Sequence, residues 1–222
     1  MYLVINFKAY GEGYGKSLDR LVQVINDIKP PQGIDIIIAP PNPELSRIKS
    51  KFPKLKVYAQ TVDLNELGSY TGTMPISAVA LCGIDGFIIN HPEKRRTIPE
   101  IESAITLSRK MGINYLVCVS NLEELKKVLK FKPSITSIEP PELIGTGVSA
   151  AAANPDLIVN AVQLTKKISP DTELLLGAGI SGPLDIKKAI KLGTKGVMLA
   201  SAFVKSKEPE KKLGELLSGF KS

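Results

Sequence analysis

Four polar groups of complementary character close three apolar runs that lie far apart in the chain. The first run ends Val4-Ile5-Asn6-Phe7-Lys8, another ends Ile88-Ile89-Asn90-His91, and a third ends Ser137-Ile138-Glu139. An amide, a cation, an imidazole and a carboxylate can share out the roles of one reacting site if the fold gathers them. Alternation along an extended strand puts Asn6 and Lys8 on one face, opposite Ile5 and Phe7. His91 is the sole histidine. Pro92 and Glu93 after it read as a short helix start, because proline fits the first helical position and a carboxylate suits the positive end of the dipole. That place disfavours an imidazolium, so His91 is expected neutral, donating one N–H to a developing oxyanion. Glu139 precedes Pro140-Pro141 and is therefore held extended as it leaves its strand. Prolines stiffen one end of 140–147 while Gly145 and Gly147 loosen the other, which suits a hinged lid or a rigid turn.

A second signal points to phosphate. Leu176-Gly177-Ala178-Gly179-Ile180-Ser181-Gly182 is a strand running into G-x-G-x-x-G, formally a dinucleotide motif. The acidic partner such a motif needs about 20 positions on is replaced by Ala200-Ser201-Ala202. Small residues after two successive strands instead let main-chain N–H groups close on a single phosphate. A monophosphate ester is preferred over NAD, with Gly179, Ala200 and Ser201 as donors.

Something must hold these strand ends together. β-rich runs at 2–7, 34–39, 56–60, 86–90, 114–119, 134–139, 173–177 and 195–200 alternate with helical-period runs at 15–29, 43–51, 75–82, 97–111, 121–131, 154–168, 183–192 and 208–219. In 15–29, Leu18, Leu21, Val22, Ile25 and Ile28 share one face. Near-continuous Ile, Val and Leu strands belong to a sheet buried on both sides, and the alternation implies parallel pairing through crossover helices. Eight units share 222 residues, about 28 each, which leaves no length for a second domain and fits closure of the sheet on itself. The expectation is one domain, 1–222, folded as a (β/α)8 barrel of eight parallel strands. An open doubly wound sheet is the structural alternative. A barrel collects its chemistry at the carboxyl ends of the strands, where the groups above lie.

Composition narrows the rest. With 43% hydrophobic residues, the chain can fill a core, which excludes disorder. Cys82 and Cys118 lie in apolar stretches without CxxC spacing and read as buried thiols, and no metal site is expected. The net charge of +7 is spread over lysine pairs on several helices, which reads as solvated faces and not as a nucleic-acid stripe. The opening Met1-Tyr2-Leu3-Val4-Ile5-Asn6 has no basic leader, and no apolar run approaches the ~20 residues of a membrane span. A cytoplasmic chain is expected, with no membrane contact.

Taken together, Asn6-x-Lys8, His91-x-Glu93, the run Glu139 to Gly147, and Gly177-Ala178-Gly179-Ile180 resemble triosephosphate isomerase, in particular its shorter archaeal branch, over residues 2–215. The resemblance implies a TIM barrel that interconverts dihydroxyacetone phosphate and D-glyceraldehyde 3-phosphate, without a cofactor, in glycolysis and gluconeogenesis. It implies Glu139 as the base, His91 as the electrophile, Lys8 as the compensating cation and Asn6 as a hydrogen-bonding group. Glu93 would position Lys8 or the site, and Ile144 and Gly145 would cover the phosphate. It implies self-association to a homotetramer, or a homodimer, through the loop from Gln60 to Gly72. The chain departs from the family at Pro92, where a serine is usual, and at Thr61 and Tyr70 in that loop. A barrel that binds a sugar phosphate without isomerase activity is the alternative reading. A metal-dependent sugar-phosphate epimerase is a poorer one, since a single histidine is too few ligands.

Overall fold

The computed structural model describes residues 1–143 and 150–221. Eight strands, β1 (Tyr2–Asn6), β2 (Asp35–Ala39), β3 (Lys56–Ala59), β4 (Gly86–Ile89), β5 (Asn114–Val119), β6 (Ile135–Ile138), β7 (Glu173–Leu176) and β8 (Gly196–Leu199), form a closed barrel in sequence order. Every neighbouring pair is parallel, and β8 pairs with β1 through Tyr2 and Gly196. That closing pair excludes the open doubly wound sheet. The strands meet so closely at this seam that a Cβ on residue 196 would stand 2.1 Å from the Tyr2 carbonyl oxygen. Only glycine fits there.

The helices are α1 (Gly15–Asp27), α2 (Leu45–Lys51), α3 (Ile76–Leu81), α4 (Ile98–Met111), α5 (Leu122–Leu129), α6 (Ala150–Ala153), α7 (Pro155–Ile168), α8 (Pro183–Lys191), α9 (Ser201–Val204) and α10 (Pro209–Ser218). All eight expected helical runs are present, trimmed at their ends. The short α6 and α9 are additions, too brief to show a period. Helix starts follow local chemistry: Thr97 caps α4 in a capping box with Glu100, Asn121 caps α5 and Asn154 caps α7.

Alternation sorts the strand side chains into two apolar layers. Val4, Ile37, Ile88, Leu116, Leu175 and Met198 fill the barrel interior. Leu3, Ile5, Ile38, Phe87, Val117 and Leu176 face the helices, meeting Leu18, Val22 and Ile25 of α1 and their counterparts. Both faces are dry, which is why these strands read as continuous apolar runs.

Two expectations fail here. Cys118 is buried on β5, but Cys82 is exposed. It follows α3, whose buried residues Ile76 and Val79 leave Leu81 and Cys82 on the outer side. The short helix expected at Pro92 is also absent, for reasons given below.

Candidate active site

The polar strand ends surround one cavity of about 200 Å³, lined among others by Asn6, Lys8, His91, Glu139, Gly179, Ala200 and Ser201. It lies at the carboxyl end of the barrel, because each polar side chain lining it follows or ends its strand. Ile144 and Gly145 lie outside the described residues, as does the segment 144–149.

Asn6 reaches the cavity by alternation along β1, but Lys8 does not. Lys8 has φ 48°, a left-handed bend beyond the strand end. Three hydrogen bonds hold this bend: the Lys8 N–H donates to Asn6 Oδ1 at 2.9 Å, while Gln60 Nε2 donates to the Lys8 carbonyl at 2.9 Å and to the Ala39 carbonyl at 3.0 Å. The Lys8 ammonium then pairs with Glu93 at 2.7 Å. Gln60 was legible only as a loop boundary, although it extends the inward alternation of Tyr58.

His91 stands in an isolated turn closed by the Lys94 N–H donating to the His91 carbonyl at 2.7 Å. Local signals at Pro92 and Glu93 are overruled by longer reach. The Asn90 carboxamide oxygen accepts the Arg96 N–H at 2.9 Å, and the helix proper waits for its cap at Thr97. The turn still fixes the ring, since the Glu93 N–H donates to His91 Nδ1 at 3.1 Å. With Nδ1 accepting, an imidazole carrying one proton carries it on Nε2. Nε2 lies 3.5 Å from Glu139 Oε2.

Glu139 is buried, only 4% exposed. Its N–H donates to the Val119 carbonyl at 2.8 Å, continuing the β5–β6 ladder one residue past the strand. Its carboxylate lies over Gly177, where an added Cβ would meet Glu139 Cγ at 2.2 Å. Burial, the Glu139 charge and a hydrogen bond to it push the Cys118 thiol well above the ordinary thiol pKa. Oε1 has no hydrogen-bond partner among the described residues, and Pro92 has no donor to offer. A buried carboxylate so thinly satisfied is costly, as expected of groups kept for chemistry and not for stability.

The glycine motif divides its labour. Gly177 serves Glu139, Gly182 caps α8, and only Gly179 faces the cavity. The N–H groups of Ser181 and Gly182 are occupied by Asp185 at 2.9 and 3.2 Å. Gly179 and Ser201 remain with main-chain N–H groups unclaimed among the described residues. No group of three or more His, Cys, Asp or Glu among the described residues could hold a metal ion.

Comparison with known proteins gives the family. The family model described as triosephosphate isomerase matches residues 1–217. A triosephosphate isomerase of Methanocaldococcus jannaschii is 38% identical over 217 residues, 98% of this chain and 99% of the relative. Those of Methanosarcina mazei and Caldivirga maquilingensis are 34% and 36% identical, over 97% and 96% of this chain and 97% and 95% of theirs. A closed parallel barrel, a polar cavity at its carboxyl end and a family match along nearly its whole length lead to one statement: the chain belongs to the triosephosphate isomerase family.

Proposed function

We propose that this family member interconverts dihydroxyacetone phosphate and D-glyceraldehyde 3-phosphate, with Glu139 as the base and His91 as the electrophile. The observation that carries the reading is the approach of His91 Nε2 to Glu139 Oε2, 3.5 Å apart in the cavity that Lys8 also lines. A C–H proton beside a carbonyl is weakly acidic, so its removal needs a carboxylate in a dry pocket and a donor for the enediolate oxygen. Glu139 moves the proton between C1 and C2. His91, neutral with its proton on Nε2, polarises the carbonyl and passes protons between the two oxygens. No carbon fits between groups this close, so the substrate parts them as it binds. Lys8 offsets the charge of substrate and intermediate, Glu93 holds Lys8, and Asn6 hydrogen-bonds a substrate oxygen. Main-chain N–H groups of Gly179, Ala200 and Ser201 hold the phosphate.

The same reading makes the protein a self-associating enzyme of the cytoplasm, a homotetramer or homodimer. Leu67 and Tyr70, 57% and 55% exposed on the Gln60–Gly72 loop, support the association. Among the described residues no helix is long and apolar enough to cross a membrane.

The deciding experiment is a coupled assay of the purified chain with glyceraldehyde 3-phosphate, beside binding of phosphoglycolate. Turnover that collapses in Glu139→Gln and His91→Gln supports the assignment. Inhibitor binding without turnover in the natural sequence would make the protein a sugar-phosphate binder instead. Sedimentation of Tyr70→Lys, expected to shift toward monomer, tests the association.

A further inference from the structure

Asn90 precedes His91 and is 1% exposed. Its φ of 64° lies in the left-handed region, which non-glycine residues adopt at a cost and asparagine tolerates best. Something must hold it there, and its carboxamide is fully engaged. Oδ1 accepts the Arg96 N–H at 2.9 Å, while Nδ2 donates to the Cys118 carbonyl at 2.8 Å and to Glu124 Oε1 at 2.9 Å.

Glu124 comes from a different unit of the barrel, on the first turn of α5, with its side chain 10% exposed. It is itself fixed from three sides. Its N–H donates to Asn121 Oδ1 at 2.9 Å, its Oε2 accepts the Ser120 N–H at 2.7 Å, and its Oε1 accepts from the Arg95 guanidinium. Arg95 in turn donates to Ser120 Oγ at 2.8 Å. The carboxylate thus clamps the bend at the end of β4 to the end of β5. Cys118, which receives the other Asn90 hydrogen, is the β5 residue whose thiol lies against Glu139. One bracket therefore indexes the turn carrying His91 against the strand that backs Glu139.

We infer that Glu124 is a positioning residue for His91: through Asn90 it holds the left-handed bend that aims Nε2 at the Glu139 carboxylate. The inference rests on the role proposed above for His91. Arg95 neutralises Glu124 locally, so its action on the ring is geometric and not a matter of charge.

The test exploits the single histidine, which gives one imidazole in the nitrogen-15 spectrum of the intact protein. The natural sequence should show Nε2 protonated and Nδ1 bare. Glu124→Ala should lower kcat about ten- to hundredfold, the penalty of a misplaced group, leave KM within about twofold, and shift or broaden the ring signals. Glu124→Gln keeps an acceptor for Asn90 and should recover kcat to within about threefold. If Glu124→Ala does not fold, Asn90→Gly replaces it, since glycine keeps the bend and removes the bracket; the same kcat loss and ring change are expected. An unchanged kcat in the folded variant, or a lost kcat with an unchanged ring spectrum, overturns the inference. His91→Gln is run beside them: if it turns over at the full rate, the role of His91 is what fails.

Discussion

Glu139 Cγ occupies the space that a Cβ on residue 177 would need, at a separation of 2.2 Å. The β6–β7 register pairs Ile138 with Leu176, so Glu139 and Gly177 are the next residues up their strands. The Gly177 N–H donates to the Ile138 carbonyl at 3.0 Å, which holds the two backbones together at this level. Gly177→Ala should therefore push the carboxylate aside or spread the strands, costing about 1–3 kcal/mol, as overpacking does. We expect kcat to fall tenfold or more, on the order of a sub-ångström misplacement of the base, with phosphoglycolate affinity little changed. Thermal melts check the cause: Glu139→Ala placed in the Gly177→Ala background should restore most of the lost stability. No such coupling would show that the contact is not what limits residue 177.

Loss of the base alone is a different perturbation. Glu139→Gln keeps the shape and removes the proton acceptor, so kcat should drop about 10²–10⁴-fold. Because the carboxylate is buried with Oε1 unpartnered among the described residues, its removal should not lower Tm. Steady-state kinetics and a melt on the same sample measure both. A Glu139→Gln enzyme of normal kcat would mean that the base is another residue.

The two thiols should behave oppositely toward a reagent such as dithionitrobenzoate. Cys82 is exposed, whereas Cys118 is buried and its pKa is raised first by desolvation and then by the Glu139 charge. The thiolate is the reacting species, so Cys118 stays inert at neutral pH. One thiol should titrate in the native protein and two after unfolding. Rapid native labelling of Cys118 would contradict its burial.

Acid should weaken the link between α1 and α2. Hydrogen bonds from Lys51 and Arg47 hold Asp19 below its ordinary pKa, and the Gly15 N–H with Arg47 does the same for Glu44. A carboxyl with a depressed folded pKa binds fewer protons folded than unfolded, so stability rises with pH across that interval. The contribution is complete above the ordinary carboxylate range and is lost as pH falls through the depressed values. Arg47→Met should flatten the dependence of Tm on pH between about 3 and 5. The wild-type slope should shrink in high salt, because Arg47 is partly exposed and such pairs are screened. An equally steep acid limb in Arg47→Met would place the effect elsewhere.

The architecture was legible because its cause is local. Strands dry on both faces must be apolar at every position, and helices with one dry face must repeat at three and four, so β1 and α1 could be read directly from Leu3-Val4-Ile5 and from Leu18 to Ile25. Lys8, His91 and Glu139 were legible as candidates because polar groups end apolar runs where strands meet the rim. Other readings failed where distant atoms outbid neighbours. Pro92 and Glu93 have the chemistry of a helix start, yet Asn90 Oδ1 takes the Arg96 N–H and the chain turns instead. Gly177 looked like part of a phosphate loop, while its reason is a carboxylate on the adjacent strand.

What the sequence determined by itself is the order of elements and the residue types delivered to each strand end, since periodicity and turn chemistry act over a few residues. Only the closed barrel decided which of those residues touch. The approach of His91 to Glu139, the left-handed bends at Lys8 and Asn90, and the glycine beneath Glu139 all depend on contacts made across strands or between loops. Contacts of that kind are set by register and closure, which no short stretch of chain encodes.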